Sequence, residues 1–221
     1  MPGKSSKRLS RDRVLAAAVA LADRDGLDGL TMRRLADELD AGAMSLYYHV
    51  PNKQALLDGM VDTVFAEIEL PAGDEWKAAM RRRAISTRGA LGRHRWAVGR
   101  MESTKDPGPA DLRLHDAVLG CLRGAGFSVP MAVQAYSVLD AYIYGFALQE
   151  QGMPATPQDF AEMAEQRVEE VQERMADAAR LYPHLAEVVG GYVAREGYSV
   201  EEAFTFGLDV ILDGLEVLRS G

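Results

Sequence analysis

Apolar residues recur along the chain at spacings of three and four, and no window alternates long enough to make a strand, so every element reads as helix. The predicted fold class is all-α. Leu15, Val19 and Ala22 share one face of a first helix, which Ser10 caps behind Leu9 and Gly26 stops after about residue 25. Thr31 caps a second helix to about residue 39, with Leu35 and Leu39 inward and Arg33, Arg34, Asp37 and Glu38 outward. A tight turn at Asp40, Ala41 and Gly42 leads into a very short third helix over 43–48, and Pro51 ends it. Asn52 caps a fourth helix to about residue 69, with Lys53 in its first turn.

Beyond a Leu-Pro-Ala-Gly break at 70–73 the pattern lengthens. Helices are predicted over 74–91, 110–124, 130–151, 157–181, 183–195 and 200–219, with a short turn over 95–101. Proline and glycine mark the principal loops at 107–109 and 152–157. The organisation is a small helical domain over 1–55, a connector helix over 53–69, and a larger helical bundle over 70–221.

Two helices joined by a short glycine-containing turn, the second short and exposed, describe a helix-turn-helix. Its second helix would enter a DNA major groove. The small Ala43 and Ser45 permit close approach to base edges, while Leu46 points back at Leu35 and Leu39. Tyr47, Tyr48 and His49 carry polar tips that reach phosphate, and Lys53 adds charge at a helix N-terminus. Thr31, Arg33 and Arg34 face the backbone across the groove. On sequence alone two other roles stay open: a hydrophobic plug for either tyrosine, and a solvated surface position for His49.

A net charge of −8 looks unsuited to a polyanion until it is divided. Residues 1–55 carry +2 and the remainder −10, which sets a small DNA-facing segment apart from an acidic body. Basic residues before an apolar run at 14–22 outline a secretory signal, but Asp12 and Arg13 abut the run and its periodicity is that of an amphipathic helix. No window has the length of a membrane span, so a cytoplasmic protein is expected. Cys121 is the lone cysteine and reads as a core residue. The phosphate-binding, nucleophile-elbow and zinc motifs are absent, and His49, His94, His115 and His184 are scattered, so no enzyme, cofactor or metal is expected.

The run GLDGLTMRRLADELDAGAMSLYYHVPNKQALLD, residues 26–58, resembles without a gap the N-terminal domain of the tetracycline-repressor (TetR) family of bacterial transcriptional regulators. The resemblance implies that Thr31, Arg33, Ser45, Tyr47, Tyr48, His49 and Lys53 lie at the DNA interface. Ala43-Met44 stands where the tetracycline repressors have Gln-Pro, so a different operator is implied. Further along, Trp76, His94, Gly126-Phe127-Ser128 and Gly145 fall in step with those repressors, but Glu69 and Met101 replace the histidine pair they use for drug and magnesium.

The family also implies a homodimer, a palindromic operator and release by a small-molecule effector, with repression more usual than activation. For the dimer, Phe204, Leu208, Ile211, Leu215 and Leu218 form one stripe that would pair with residues such as Val133. For a mostly apolar effector, the expected lining is Phe65, Trp96, Met101, Leu114, Val118, Tyr136, Asp140 and Tyr144. The rival reading is a helical module whose helix-turn-helix docks protein.

Overall fold

The computed structural model describes residues 9–73, 75–101, 106–152, 181–188 and 199–220, and every described element is a helix. The first four are α1 (Arg11–Gly29), α2 (Met32–Glu38), α3 (Ala43–Tyr47) and α4 (Lys53–Ala66). Each predicted side-chain cap forms. Ser10 Oγ accepts from the Arg13 N–H at 3.3 Å, Thr31 Oγ1 from Arg34 at 3.2 Å and Asn52 Oδ1 from Ala55 at 2.8 Å. Each satisfies one donor that a helix start leaves without an intrahelical partner. Gly26, at φ +71°, breaks α1 where the sequence predicts, and one more turn follows it. The connector ends at Ala66, earlier than the predicted residue 69. Pro71 disfavours helix at the residue before it, and the chain turns there to bury Ile68.

Next come α5 (Trp76–Arg93), a tight turn over Arg95–Ala97, α6 (Val98–Met101), α7 (Pro109–Gly124) and α8 (Val129–Gln151). A short helix covers Pro183–Glu187 and a long C-terminal helix Val200–Ser220. The helix expected over 157–181, save its last residue, and the later part of that expected over 183–195 lie outside the described residues. No helix among the described residues is long and apolar enough to cross a membrane.

The chain divides into two compact units, residues 1–147 with 214–221 and residues 148–213. In the first, α1 packs across α4, α2 joins α1 to α3, and α7 lies on α4 and α5. Val14, Ala18, Leu35, Leu46, Val50 and Met60 form one core with no exposed surface. The end of the C-terminal helix is fastened to this unit. The Trp76 indole N–H donates to Glu216 at 2.8 Å, its ring meets Phe127 edge-on at 4.9 Å, and Arg219 donates to the Ala125 carbonyl at 2.9 Å.

In the second unit Phe204, Leu208 and Leu212 are fully buried. This corrects the predicted pairing stripe. Phe204 and Leu208, with Leu215 at the same helical phase, pack within the chain, and Ile211 is half-buried at the stripe's edge. The C-terminal helix has a second apolar stripe on its other side, at Phe206, Val210 and Val217, and that one is exposed. Spacing of three and four fits both stripes, so periodicity alone could not choose between them. Val133 on α8 is exposed.

Candidate functional site

α2 and α3 meet through Asp40, whose φ of +50° turns the chain in the left-handed region. The Ala41 N–H then returns to the Ala36 carbonyl at 3.0 Å, closing the end of α2. Leu46 and Val50, fully buried, seat α3 in the same core as Leu35 and Leu39. That seating turns the rest of α3 outward. Ala43, Met44, Ser45, Tyr47 and Tyr48 are all exposed, Tyr48 at 93% and Tyr47 at 41%, so neither ring plugs a core. His49 is half-buried with its ring edge toward Tyr48.

Around this helix, Arg33 and Lys53 stand exposed, and Thr31 uses its hydroxyl oxygen as the cap of α2. The Ser45 hydroxyl donates to the Gly42 carbonyl at 2.5 Å, which leaves its lone pairs for an incoming donor. Arg34 departs from its predicted place. Its guanidinium donates to the Gly29 carbonyl at 2.9 Å and to Asp25 at 2.5 Å. It therefore braces α2 against the end of α1, and intrachain acceptors occupy the fork that a phosphate would need.

A second constellation lies in the core between α5, α7 and α8. The third arginine of the run Arg81-Arg82-Arg83 falls on the inward stripe with Trp76, Ala79, Met80, Thr87 and Ala90, and is 1% exposed. Arg83 Nη1 donates to Asp140 Oδ1 at 2.5 Å, and its guanidinium carbon sits 5.7 Å from the centre of the Tyr136 ring. Burial works to lower the Arg83 pKa, but the charge and hydrogen bond of Asp140 overcome it and hold the group above its ordinary value. Burial, reinforced by the Asp140 carboxylate, pushes the Tyr136 hydroxyl far above the usual phenol range, so it stays a neutral donor. His115 tilts against Tyr136 at 4.9 Å, and its pKa is raised by a hydrogen bond to Asp111.

Of the expected effector residues, Tyr136, Asp140 and Tyr144 gather around Arg83, with Tyr144 close enough to bear on its charge. Arg83 itself escaped the sequence reading, although an arginine on an apolar stripe is a visible signal. Phe65, Met101, Leu114 and Val118 are buried on α4, α6 and α7. Trp96 is the exception. It packs on the core of the first helices, its N–H donates to Asp23 at 2.7 Å, and it lines a separate cavity of about 410 Å³ with Gly26, Leu27, Arg93 and Arg95. Its ring is partly buried, against the core of the first helices.

Two contacts join the helix-turn-helix to this core. Asp62, in the middle of α4, accepts from the backbone N–H groups of Ala110 and Asp111 at 2.8 and 3.1 Å, capping α7 from another helix. Gly108 makes room for it, since a Cβ there would lie 2.2 Å from the carboxylate. His94, 6% exposed at the end of α5, stands between Asp23 of α1 at 2.9 Å and Glu67 at the end of α4 at 3.1 Å. Partial burial acts to raise the Glu67 pKa, but Arg93 and His94 bring it below the ordinary value. Asp62→Ala is expected to lower stability by about 1 kcal/mol through loss of the cap. A chemical denaturation midpoint equal to that of the parent protein would show that the cap adds nothing.

Comparison with known proteins matches the same two parts. Residues 14–60 fit the family model described as bacterial regulatory proteins, tetR family, and residues 70–219 fit that of the tetracyclin repressor-like C-terminal domain. The chain belongs to the TetR family. It is 37% identical over 218 residues to the transcriptional repressor DrrR1 of Streptomyces coeruleorubidus, covering 95% of this chain and 78% of that one. The class E tetracycline repressor of Escherichia coli is 33% identical over 212 residues, covering 94% and 90%. Among solved structures, ActR of Streptomyces coelicolor in complex with actinorhodin superposes with a TM-score of 0.77 at 28% identity, covering 97% and 100%.

This TetR-family chain is thus a ligand-responsive, DNA-binding transcriptional regulator, and its family is one of regulators rather than enzymes. The half-buried thiol of Cys121 is pushed up by burial, which disfavours the reactive thiolate. Glu69 pairs with Arg82 at 3.2 Å on the surface.

Proposed function

We propose that the chain is a cytoplasmic repressor that binds a palindromic DNA operator as a homodimer and is released by a small, mostly apolar effector. The observation that carries the reading is the seating of α3. Leu46 and Val50 bury one side, and Ala43, Ser45, Tyr47 and Tyr48 are exposed on the other with His49 half-buried after them, while Arg33 and Lys53 are exposed on the neighbouring helices. Small residues lead into the groove and long ones reach its phosphates. Thr31 and Arg33, both exposed at the start of α2, are the backbone-facing candidates. Residues 1–55 act as the reader, 53–69 as the lever and 70–221 as the effector and pairing domain.

Pairing through exposed apolar surface such as that of Val133 on α8 would set two recognition helices about a two-fold axis. Effector binding among Tyr136, Asp140, Tyr144, Phe65, Met101, Leu114 and Val118 would shift α7 and α8, and Asp62 would pass the shift to α4. His94 then links α4 and α5 to α1. A ligand acts this way only by preferring one arrangement, and a tenfold loss of operator affinity needs about 1.4 kcal/mol of preference.

Lys53→Ala tests the reading. Operator affinity should fall and the log–log salt slope should lose about one unit, the signature of one phosphate contact removed. A slope identical to that of the parent protein would place Lys53 away from the phosphates.

A further inference from the structure

The Arg83 guanidinium is fully desolvated, yet among the described residues only one of its nitrogens has a partner: Nε and Nη2 are both buried with no acceptor there. These two N–H groups are not a random pair. They form one edge of the guanidinium plane, two parallel donors spaced to take both oxygens of a carboxylate. Asp140 binds from elsewhere on the group, through Nη1 alone. A buried donor left unsatisfied costs about 1–3 kcal/mol, and most buried polar groups do find partners. The charge is balanced here and the hydrogen bonding is not.

We infer that this edge is the effector's anchor and that the effector is an aromatic acid, its carboxylate or equivalent oxyanion held by Nε and Nη2 of Arg83 and its ring system lying among Tyr136, Tyr144 and the apolar residues of α7. The inference rests on the proposed effector site and sharpens it from a mostly apolar ligand to one with an anionic end. The cationic guanidinium edge favours an anionic acceptor, and Tyr136, neutral and hydrogen-bonded to Asp140, lies beside it as an uncharged ring. The edge has no solvent contact, so an acid reaches it only by displacing the side chains that cover it. That makes binding and conformational change one event, which is the differential preference an effector needs.

The test uses the full chain with 1-naphthoate and its neutral counterpart 1-naphthamide, each measured by equilibrium dialysis at neutral pH. The acid should bind about tenfold or more tightly than the amide, as a charge-assisted bidentate contact requires. Arg83→Lys keeps the charge and loses the fork, so the preference should collapse. If the variant does not fold, the acid-to-amide ratio on the parent protein decides alone. Equal binding of the two probes, or binding of neither, would overturn the inference. Operator retention by the same preparation is measured separately: if DNA still binds while the acid shows no advantage, only the acid inference fails, and if no duplex is bound the regulator reading itself fails.

Discussion

Asp140→Asn is expected to cost the protein about 3–5 kcal/mol of stability, the largest effect of any single change considered, because it strands a buried cation. Arg83 is 1% exposed and its guanidinium lies 2.5 Å from Asp140, so its charge is balanced by that carboxylate and by little else. Asparagine preserves the volume and an acceptor oxygen, which makes the change a test of charge rather than of packing. The unfolding midpoint in urea should drop accordingly. The double variant Arg83→Met with Asp140→Leu should recover most of the loss, since removing both partners of a buried pair is often near neutral. A single variant as stable as the parent would mean that the pair is better solvated than its burial indicates.

Leu46→Ala is expected to cost about 2–5 kcal/mol, through the lost apolar contact and the cavity left behind. The effect on DNA binding should exceed what stability alone explains. α3 has five residues and no side-chain cap, so nothing local keeps it helical. Leu46 and Val50 hold it, and without the first of them Tyr47 and Ser45 lose their common orientation. Tyr48→Ala is the matching control: at 93% exposure it should leave the unfolding midpoint in place while weakening operator affinity. Fluorescence anisotropy with a labelled operator, run beside thermal unfolding, separates the two. Equal operator affinity for the folded Leu46→Ala protein and the parent would show that α3 is ordered by something else.

The helix-turn-helix was legible because its signals are local. Ser10, Thr31 and Asn52 cap residues three positions ahead, Gly26 breaks α1, and the turn at Asp40 fits between two short apolar patterns. What escaped depends on partners far away in sequence. Asp62 caps a helix 48 residues on, and nothing around it advertises that. Arg83 sits in a run of three arginines that reads as a solvated surface, and only its phase within the apolar stripe of α5 distinguishes it. The sequence reading puts Trp96 in the effector lining, whereas it packs on the core of the first helices, because hydropathy says that a ring is covered and not by what. The same limit applies to the C-terminal helix. With apolar stripes on both sides, the chain's own core took Phe204 and Leu208 and left Phe206 and Val210 outside. Arg34 shows the same limit: the sequence does not reveal that Asp25 and the Gly29 carbonyl already take its guanidinium.

The measurement that bears most directly on the central claim is selection of the purified full chain against random duplexes, with the retained DNA sequenced and the best duplex titrated with salt. A homodimeric repressor should enrich a palindrome with two equivalent half-sites, and its affinity should fall steeply as salt rises because each phosphate contact releases counterions. Failure to enrich any sequence at low salt, or an affinity indifferent to salt, would contradict the operator-reading role assigned to α3.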